Sequence, residues 1–537
     1  MSDYDIIVAG AGLAGGLPAA AYLQKAGFKV GLIERGVDTG KFYHSYELHP
    51  GVMFDHSPVN FSCISPAMLD LDLEGAGYVA RLPSILHSVT DGNGNHMTFY
   101  PNLERNLSQL EVYSKRDAAR FRTILQNLQP HWVRLLRILF YSPHPDRARY
   151  DEALQISADA LDMSVEELVR TNGIQLLESL FESEQSRIFL IPLPALHLFG
   201  DLSVPGQGAL AWLWALLLRA CISPAGNQSL VRALERVFLQ HGGDILRNTS
   251  VESFDVSNNR CEGVVVRTHH DDQTRSLRAR EAVISNLGAS LTLKMLGDTP
   301  LPESFDRQLK NWSMAKRVLA VHDFILPEPP QWTAAPANPD FARSPRIYLV
   351  WNTWHECVQW LENSLTEEAT FHGDVEMTLM NNIYDHSATG KYALRIRHGT
   401  GPYSMELEEK RQPFTDRMLS SLTTRNPIPL QRAISHQMAT PLDFWRANPA
   451  ALHGNPVGGD FIEGQWMLDR CPYETPVEHL YMSNSVWPTA MSWLAPGYNA
   501  AGVIMDRLGR KRPSWWSHEP GEWFTRRVAQ RRAGAAS

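Results

Sequence analysis

Three glycines, Gly10, Gly12 and Gly15, stand in the run Gly10-Ala11-Gly12-Leu13-Ala14-Gly15, a spacing that suits phosphate chemistry. One permits a tight turn, one lets backbone N–H groups approach a pyrophosphate with no Cβ in the way, and one packs a helix on a strand. Glu34 follows nineteen residues after Gly15, where a carboxylate can accept both hydroxyls of an adenosine ribose. Beside Asp55, His56 is the best candidate for a general base. The competing reading of His56 is an ordinary hydrogen-bonded histidine in a tight turn. Trp487, Trp493 and Tyr498 have the composition of an aromatic wall for an apolar substrate, or equally of core packing.

These groups need elements to position them. Ile6 to Ala9 is a fully apolar run, as in a strand covered on both faces. It stops at the glycines, and an alanine-rich helical segment follows to Ala26, with Gly27 at the expected C-cap. Pro18 falls close to the helix start, where its missing N–H costs little. Lys29 to Ile33 reads as a second buried strand carrying Glu34 and Arg35 at its tip. The free N–H groups at the helix start would hold the phosphate charge. Strand, glycine turn, helix, strand and acid in this order predict a dinucleotide site.

The 537 residues are too many for one core and imply two or three domains. With 44% hydrophobic and 20% charged residues, the composition is that of an ordinary globular protein, and a net charge of −8 argues against a general nucleic-acid binder. The five cysteines (63, 221, 261, 357 and 471) show no metal spacing, which fits unbridged thiols in a reducing, cytoplasmic setting. No signal peptide is expected ahead of the first strand. His44, His49 and His56 define no metal site, and His197 and His322 read as structural, so no metal is assigned. Ala209 to Leu218 is too short to cross a bilayer and reads as a buried helix.

Further along, Lys115 to Leu139 has helical spacing with Phe121 and Trp132 as anchors. Pro224 to Thr268 then gives a loop, an amphipathic helix, Gly242-Gly243 and alternating strands, and Glu281 to Asn286 adds another strand. This return is how a nucleotide-binding domain is completed when other segments are inserted. Ile325 to Pro339 holds five prolines and reads as a surface loop or boundary. Near the end, Thr475 to Ser485 feeds a short strand, and Ala495-Pro496-Gly497-Tyr498-Asn499 opens a helix. From Lys511 onward, six basic and two acidic residues alternate with Trp515, Trp516, Trp523 and Phe524. That pattern suits a peripheral membrane contact, or a helix packed by its tryptophans with solvated arginines.

Four separated segments together resemble the phytoene desaturase and carotenoid ketolase branch of the FAD-dependent oxidoreductases, a branch related to amine oxidases. They are GAGLAG with Glu34-Arg35; GVMFDHSP; PAGNQSLVRAL through HGGDI to AVISN; and TPVEHLYMSNS with APGYNAA. TPLDFWRANP, with Gly458-Gly459-Asp460 after it, is similar to the ketolase-type end. The resemblance implies an α/β protein: a Rossmann-type FAD-binding domain assembled from discontinuous segments (1–70, 205–295 and 475–510), with an inserted α+β substrate domain (71–204 and 296–474) and a basic aromatic tail (511–537). It implies that Gly10, Gly12, Leu13, Ala14 and Gly15 hold the FAD pyrophosphate, with Glu34 and Arg35 at the adenosine ribose and the Val251 backbone by the adenine. Asn484, Pro496, Gly497, Tyr498 and Asn499 would approach the cofactor, the helix dipole there favouring negative charge on a reduced flavin. Asp55 and Ser57-Pro58 would fall near the flavin, where His56 could also supply a hydrogen bond.

This chain departs from the family's pattern in places. Ser57, His479 and Asn484 stand where glycine is usual, and Trp487 to Leu494 replaces a glycine cluster. The implied reaction is desaturation or oxidation of a largely apolar substrate, a carotenoid or other isoprenoid, by hydride transfer to flavin, with oxygen or a quinone as electron acceptor. Trp487 and Trp493 would contact the substrate. Two alternatives stay open: a flavin oxidase of a smaller aromatic or amine substrate, and a non-catalytic lipid-binding escort on the same fold. The oligomeric state is not legible.

Overall fold

In the computed structural model, residues 3–56, 58–191, 201–316, 318–363, 375–399, 403–425, 430–455, 457–489 and 494–535 are described. The glycine turn lies between strand β1 (Tyr4–Ala9) and helix α1 (Gly16–Lys25), and strand β2 (Val30–Ile33) follows. β1 and β2 pair in parallel, with Ile7 opposite Gly31 and Val8 opposite Leu32. On the other side of β1, Val283 to Ser285 of strand Thr274–Ser285 pair in parallel, and Leu480–Met482 extends the sheet beyond them. Asp244–Leu246 pairs with β2 and closes the opposite end. Five short parallel strands, four of them nearly or wholly buried, explain the continuous apolar runs in the sequence. The earlier half of Thr274–Ser285 turns outward and forms an antiparallel meander with Arg260–Thr268 and Thr249–Ser257. The whole is the Rossmann-type α/β architecture anticipated from the motif.

α1 is buried from Gly16 to Gln24, which accounts for its small residues. It packs between helices Gln228–Gln240 and Ala495–Arg507. Gly27 adopts φ +97° just after the helix C-cap Ala26. Pro18 sits in the first turn of α1, where no intrahelical N–H partner is lost.

A second seven-stranded sheet has the order Ser435–Ala439, Leu319–Leu326, Tyr392–Gly399, Val375–Leu379, Ile347–Leu349, His87–Thr90 and His96–Phe99. One face carries Phe324, Leu326, Leu394 and Ile396, and Met418 and Leu422 pack on it. The proline-rich stretch after Leu326 is not merely a surface loop: it sends Trp332 and Phe341 into the same core. The opposite face sets ion pairs beside apolar residues such as Ile325 and Ala393. Asp323 pairs across the strands with Arg395, and Glu376 with Arg397. Arg395 is fully buried, and its fork meets both oxygens of Asp323 at 2.7 and 2.8 Å.

Helices fill residues 103 to 190, including Lys115–Leu128 and Trp132–Leu139. The apolar run after Gly206 is helix Gln207–Ala215, buried throughout, with Trp212 and Trp214 donating to Leu190 O and Ser157 Oγ. Among the described residues no helix is long and apolar enough to cross a membrane. The tail lies on the body. Trp516 packs 4.5 Å from the Tyr22 ring, Trp523 donates to Glu74 at 2.8 Å, and His518 bonds the buried Asp70 at 2.8 Å. The tryptophans are therefore spent on packing, and Arg531 and Arg532 are exposed. All five cysteines are free and buried.

Candidate functional site

A cleft of about 470 Å³ opens where β1, β2 and α1 meet. Gly10 to Gly15, Glu34, Arg35, Val251 and Asn484 all line it, although they come from four distant parts of the chain. Gly10 has φ +97°, a conformation that disfavours any side chain. A side chain at Gly12 would meet the amide nitrogen of Asn286 at 2.5 Å, and one at Gly15 would collide with the Ser483 carbonyl. Backbone N–H groups at the start of α1 are thus left accessible in a cradle that a Cβ would fill. Glu34 is held in place by the N–H groups of Ala11, at 3.1 Å, and Gly36, at 2.8 Å. Carboxylate, glycine turn and helix start fit the adenosine and diphosphate of a dinucleotide.

Asn484, where the resemblance expects glycine, does not fill the cradle. Its Nδ2 donates to Asn286 O at 3.3 Å and its Oδ1 accepts from Ser485 N at 2.6 Å. The space it needs is provided by Gly458, where a side chain would collide with the Asn484 amide. His479, likewise in place of a glycine, has φ +64°, so the backbone there keeps a glycine-like conformation.

Pro496 to Asn499 form the first turn of Ala495–Arg507 and are not among the cleft's walls. Gly497 N–H donates to Ala14 O at 3.1 Å, tying this helix start to the glycine loop. Tyr498 turns the other way, edge-on to Tyr22 and Tyr141 at 5.4 and 5.7 Å. The Asn499 amide donates to Phe140 O and Tyr473 OH, both at 3.0 Å. Trp487 is buried, with its indole N–H on Leu139 O at 2.7 Å. Trp493, Ser57 and His197 lie outside the described residues.

Asp55 is completely buried and joins the start of helix Gln228–Gln240 to the second sheet. Its carboxylate accepts from Ser45 Oγ, from Asn227 N–H at 2.9 Å and from the Tyr384 hydroxyl. Its backbone carbonyl accepts from Arg395. His56 beside it packs 5.2 Å from the Tyr46 ring and 5.5 Å from Phe444. Burial, with Arg395 and Arg397 nearby, holds the His56 imidazole well below its usual pKa and hence neutral at physiological pH.

Several residues of the cleft had no role assigned from the sequence. Asn286 and Ser483 were visible inside the quoted segments, but only their contacts with Gly12 and Gly15 reveal what they do. Lys41 and Lys294 add cationic walls. Ala447 to Ala451, Asn455 and Gly458 form another wall, and nothing in their spacing signals it. Among the described residues no group of three metal-ligating side chains is placed to hold a metal ion. His322 is enclosed by two other histidines, His436 at 3.1 Å and His398 at 3.3 Å, brought together by strand pairing.

The model of the DAO family, described as FAD dependent oxidoreductase, matches residues 5–310. A limonene dehydrogenase component from Castellaniella defragrans is 23% identical over 96% of this chain and 97% of its own length. Among solved structures, an oxidoreductase from Methanosarcina mazei superposes with a TM-score of 0.54 at 16% identity, covering 94% of this chain and all of that one. Cyclohexylamine oxidase from Brevibacterium oxydans gives a TM-score of 0.52 at 15% identity over 95% of this chain and all of its own. A glycine cradle that a Cβ would fill, an acid at the tip of β2 and a family match over more than half the sequence agree: this chain belongs to the FAD-dependent oxidoreductases of the DAO family, and FAD is its cofactor.

Proposed function

We propose that the protein desaturates or oxidises a largely apolar substrate, a carotenoid or other isoprenoid, as a member of the phytoene desaturase and carotenoid ketolase branch. The observation that carries the redox part is the intact cradle around Gly10, Gly12 and Gly15 with Glu34 at its end. For the substrate, the support is a relative named for limonene dehydrogenation that aligns from end to end. Bound FAD supplies a hydride acceptor for a substrate C–H bond.

The chain's own residues then have defined tasks. Backbone N–H groups from Gly12 to Gly15, with Lys41 and Lys294 alongside, neutralise the diphosphate. Glu34 accepts the ribose hydroxyls with Arg35 beside it, and the Val251 backbone borders the adenine. The helix start at Pro496 to Asn499 offers its positive end to negative charge on the ring system. His56, kept neutral by burial and by Arg395 and Arg397, would act as a hydrogen-bonding group, because the same surroundings oppose its taking up a proton. Trp487 would border the substrate, with oxygen or a quinone reoxidising the enzyme.

A smaller aromatic or amine substrate is the second reading, favoured by bulky Trp487, Met491, Trp493 and Leu494 where small residues are usual. Anaerobic bleaching of the yellow holoenzyme by carotenoids, monoterpenes, amines and phenols separates the two. Isoprenoids should bleach it and amines should not. Bleaching by amines alone would transfer the assignment to the second reading, and no bleaching by any of them would favour the escort.

A further inference from the structure

The wall of the cleft contributed by Ala447 to Ala451, Asn455 and Gly458 comes from the part of the chain that carries the second sheet, not from the cofactor sheet. It is pinned at both ends. At the start, helix Pro441–Ala447 is capped by Thr440 and Asp443 in a reciprocal box. That box is bound in turn by Glu408 at 2.8 Å and Arg411 at 3.1 Å. At the far end, the Asn455 amide donates to Asp460 at 3.1 Å and accepts from the N–H groups of Val457 and Gly459. Between these anchors the chain runs along the cleft.

Asn448 stands at the middle of this stretch. Its Oδ1 accepts the Ala450 N–H at 3.2 Å, and its backbone carbonyl accepts the Ala451 N–H at 2.9 Å. The turn engages the side chain's oxygen and leaves its NH2 with both donors to offer. An amide donor in a cleft already lined by the glycine N–H groups, Lys41 and Lys294 is matched to an anion. The anionic part of FAD is its diphosphate. We propose that Asn448 is a ligand of the FAD diphosphate, and that residues 447 to 455 form a strap that retains the cofactor. This rests on the FAD assignment and is independent of the substrate.

Asn448→Asp tests it closely, because the carboxylate keeps an oxygen for Ala450 N–H while removing the donor and adding a negative charge. The expected result is FAD binding weakened at least about tenfold, with a smaller loss for Asn448→Ala, as for one hydrogen bond to a charged group. Titration of apoprotein with FAD reads the affinity, and melting of the apoprotein checks that the fold is unchanged. Wild-type FAD affinity in a normally folded Asp variant would overturn the proposal. Hydrogen exchange on the wild type needs no variant: amides of residues 447–455 should slow when FAD is added. Unchanged exchange there, with FAD bound, would also overturn it. A wild-type chain that takes up no FAD would instead strike at the cofactor assignment itself.

Discussion

The two sheets of this molecule solve different problems with different residues. The cofactor sheet is parallel, covered on both faces, and built from runs such as Ile6 to Ala9 and Val30 to Ile33. The second sheet has an apolar face and a mixed one, where the ion pairs Arg395–Asp323 and Arg397–Glu376 lie beside the apolar pair Ile325 and Ala393. In the first, specificity resides in backbone shape: glycines admit a ligand that side chains would exclude. In the second it resides in buried charges, which tolerate few alternative pairings once removed from water. Asp55 joins the start of helix Gln228–Gln240 to the second sheet, receiving Asn227 from one side and Tyr384 and Arg395 from the other.

This contrast can be broken most forcefully at Arg395. Arg395→Met leaves Asp323 buried without its guanidinium partner, and stability should fall by about 3–5 kcal/mol. Chemical denaturation measures it, and adding Asp323→Leu should recover much of the loss. A fall below about 1 kcal/mol would mean that the ion pairs do not hold the second sheet.

A smaller effect comes from acid. Burial lowers the pKa of His322 to about 2 and that of His87 to about 3. Both therefore stay neutral in the folded chain while the unfolded chain takes up protons below about pH 6.5. The folded state binds fewer protons in that window, so stability is full above pH 6.5 and is lost as the pH falls. Between pH 7 and pH 5 each should account for about 2 kcal/mol. Thermal unfolding at the two pH values checks this, and His322→Gln should flatten the dependence. An unchanged slope in that variant would place the acid sensitivity elsewhere.

Legibility followed the same division. The cofactor sheet announces itself locally, because a strand, its turn, its helix and its acid are consecutive, from Tyr4 to Glu34. The return at Pro224 to Thr268 and Glu281 to Asn286 was visible for the same reason. The second sheet is assembled from strands as far apart as His87 and Ala439, and no local window holds both partners of Arg395 and Asp323 or of His322 and His436. The segment holding Asn448 was visible in TPLDFWRANP, but its place on the cleft was not, since that depends on where the chain passes. The tail was ambiguous in sequence because aromatic and basic residues serve packing and membrane contact alike; Glu74, Asp70 and Tyr22 provide the partners that the one-dimensional pattern lacks.

The most direct test of the account is the FAD content of purified wild-type protein against Gly12→Asp. A side chain at Gly12 first meets the Asn286 amide, so melting of the variant is read beside its FAD content to show that it is folded, while its carboxylate opposes the diphosphate. The wild type should carry close to one FAD per chain by absorbance and the folded variant almost none. Equal FAD in the two would contradict the placement of the cofactor at the glycine turn.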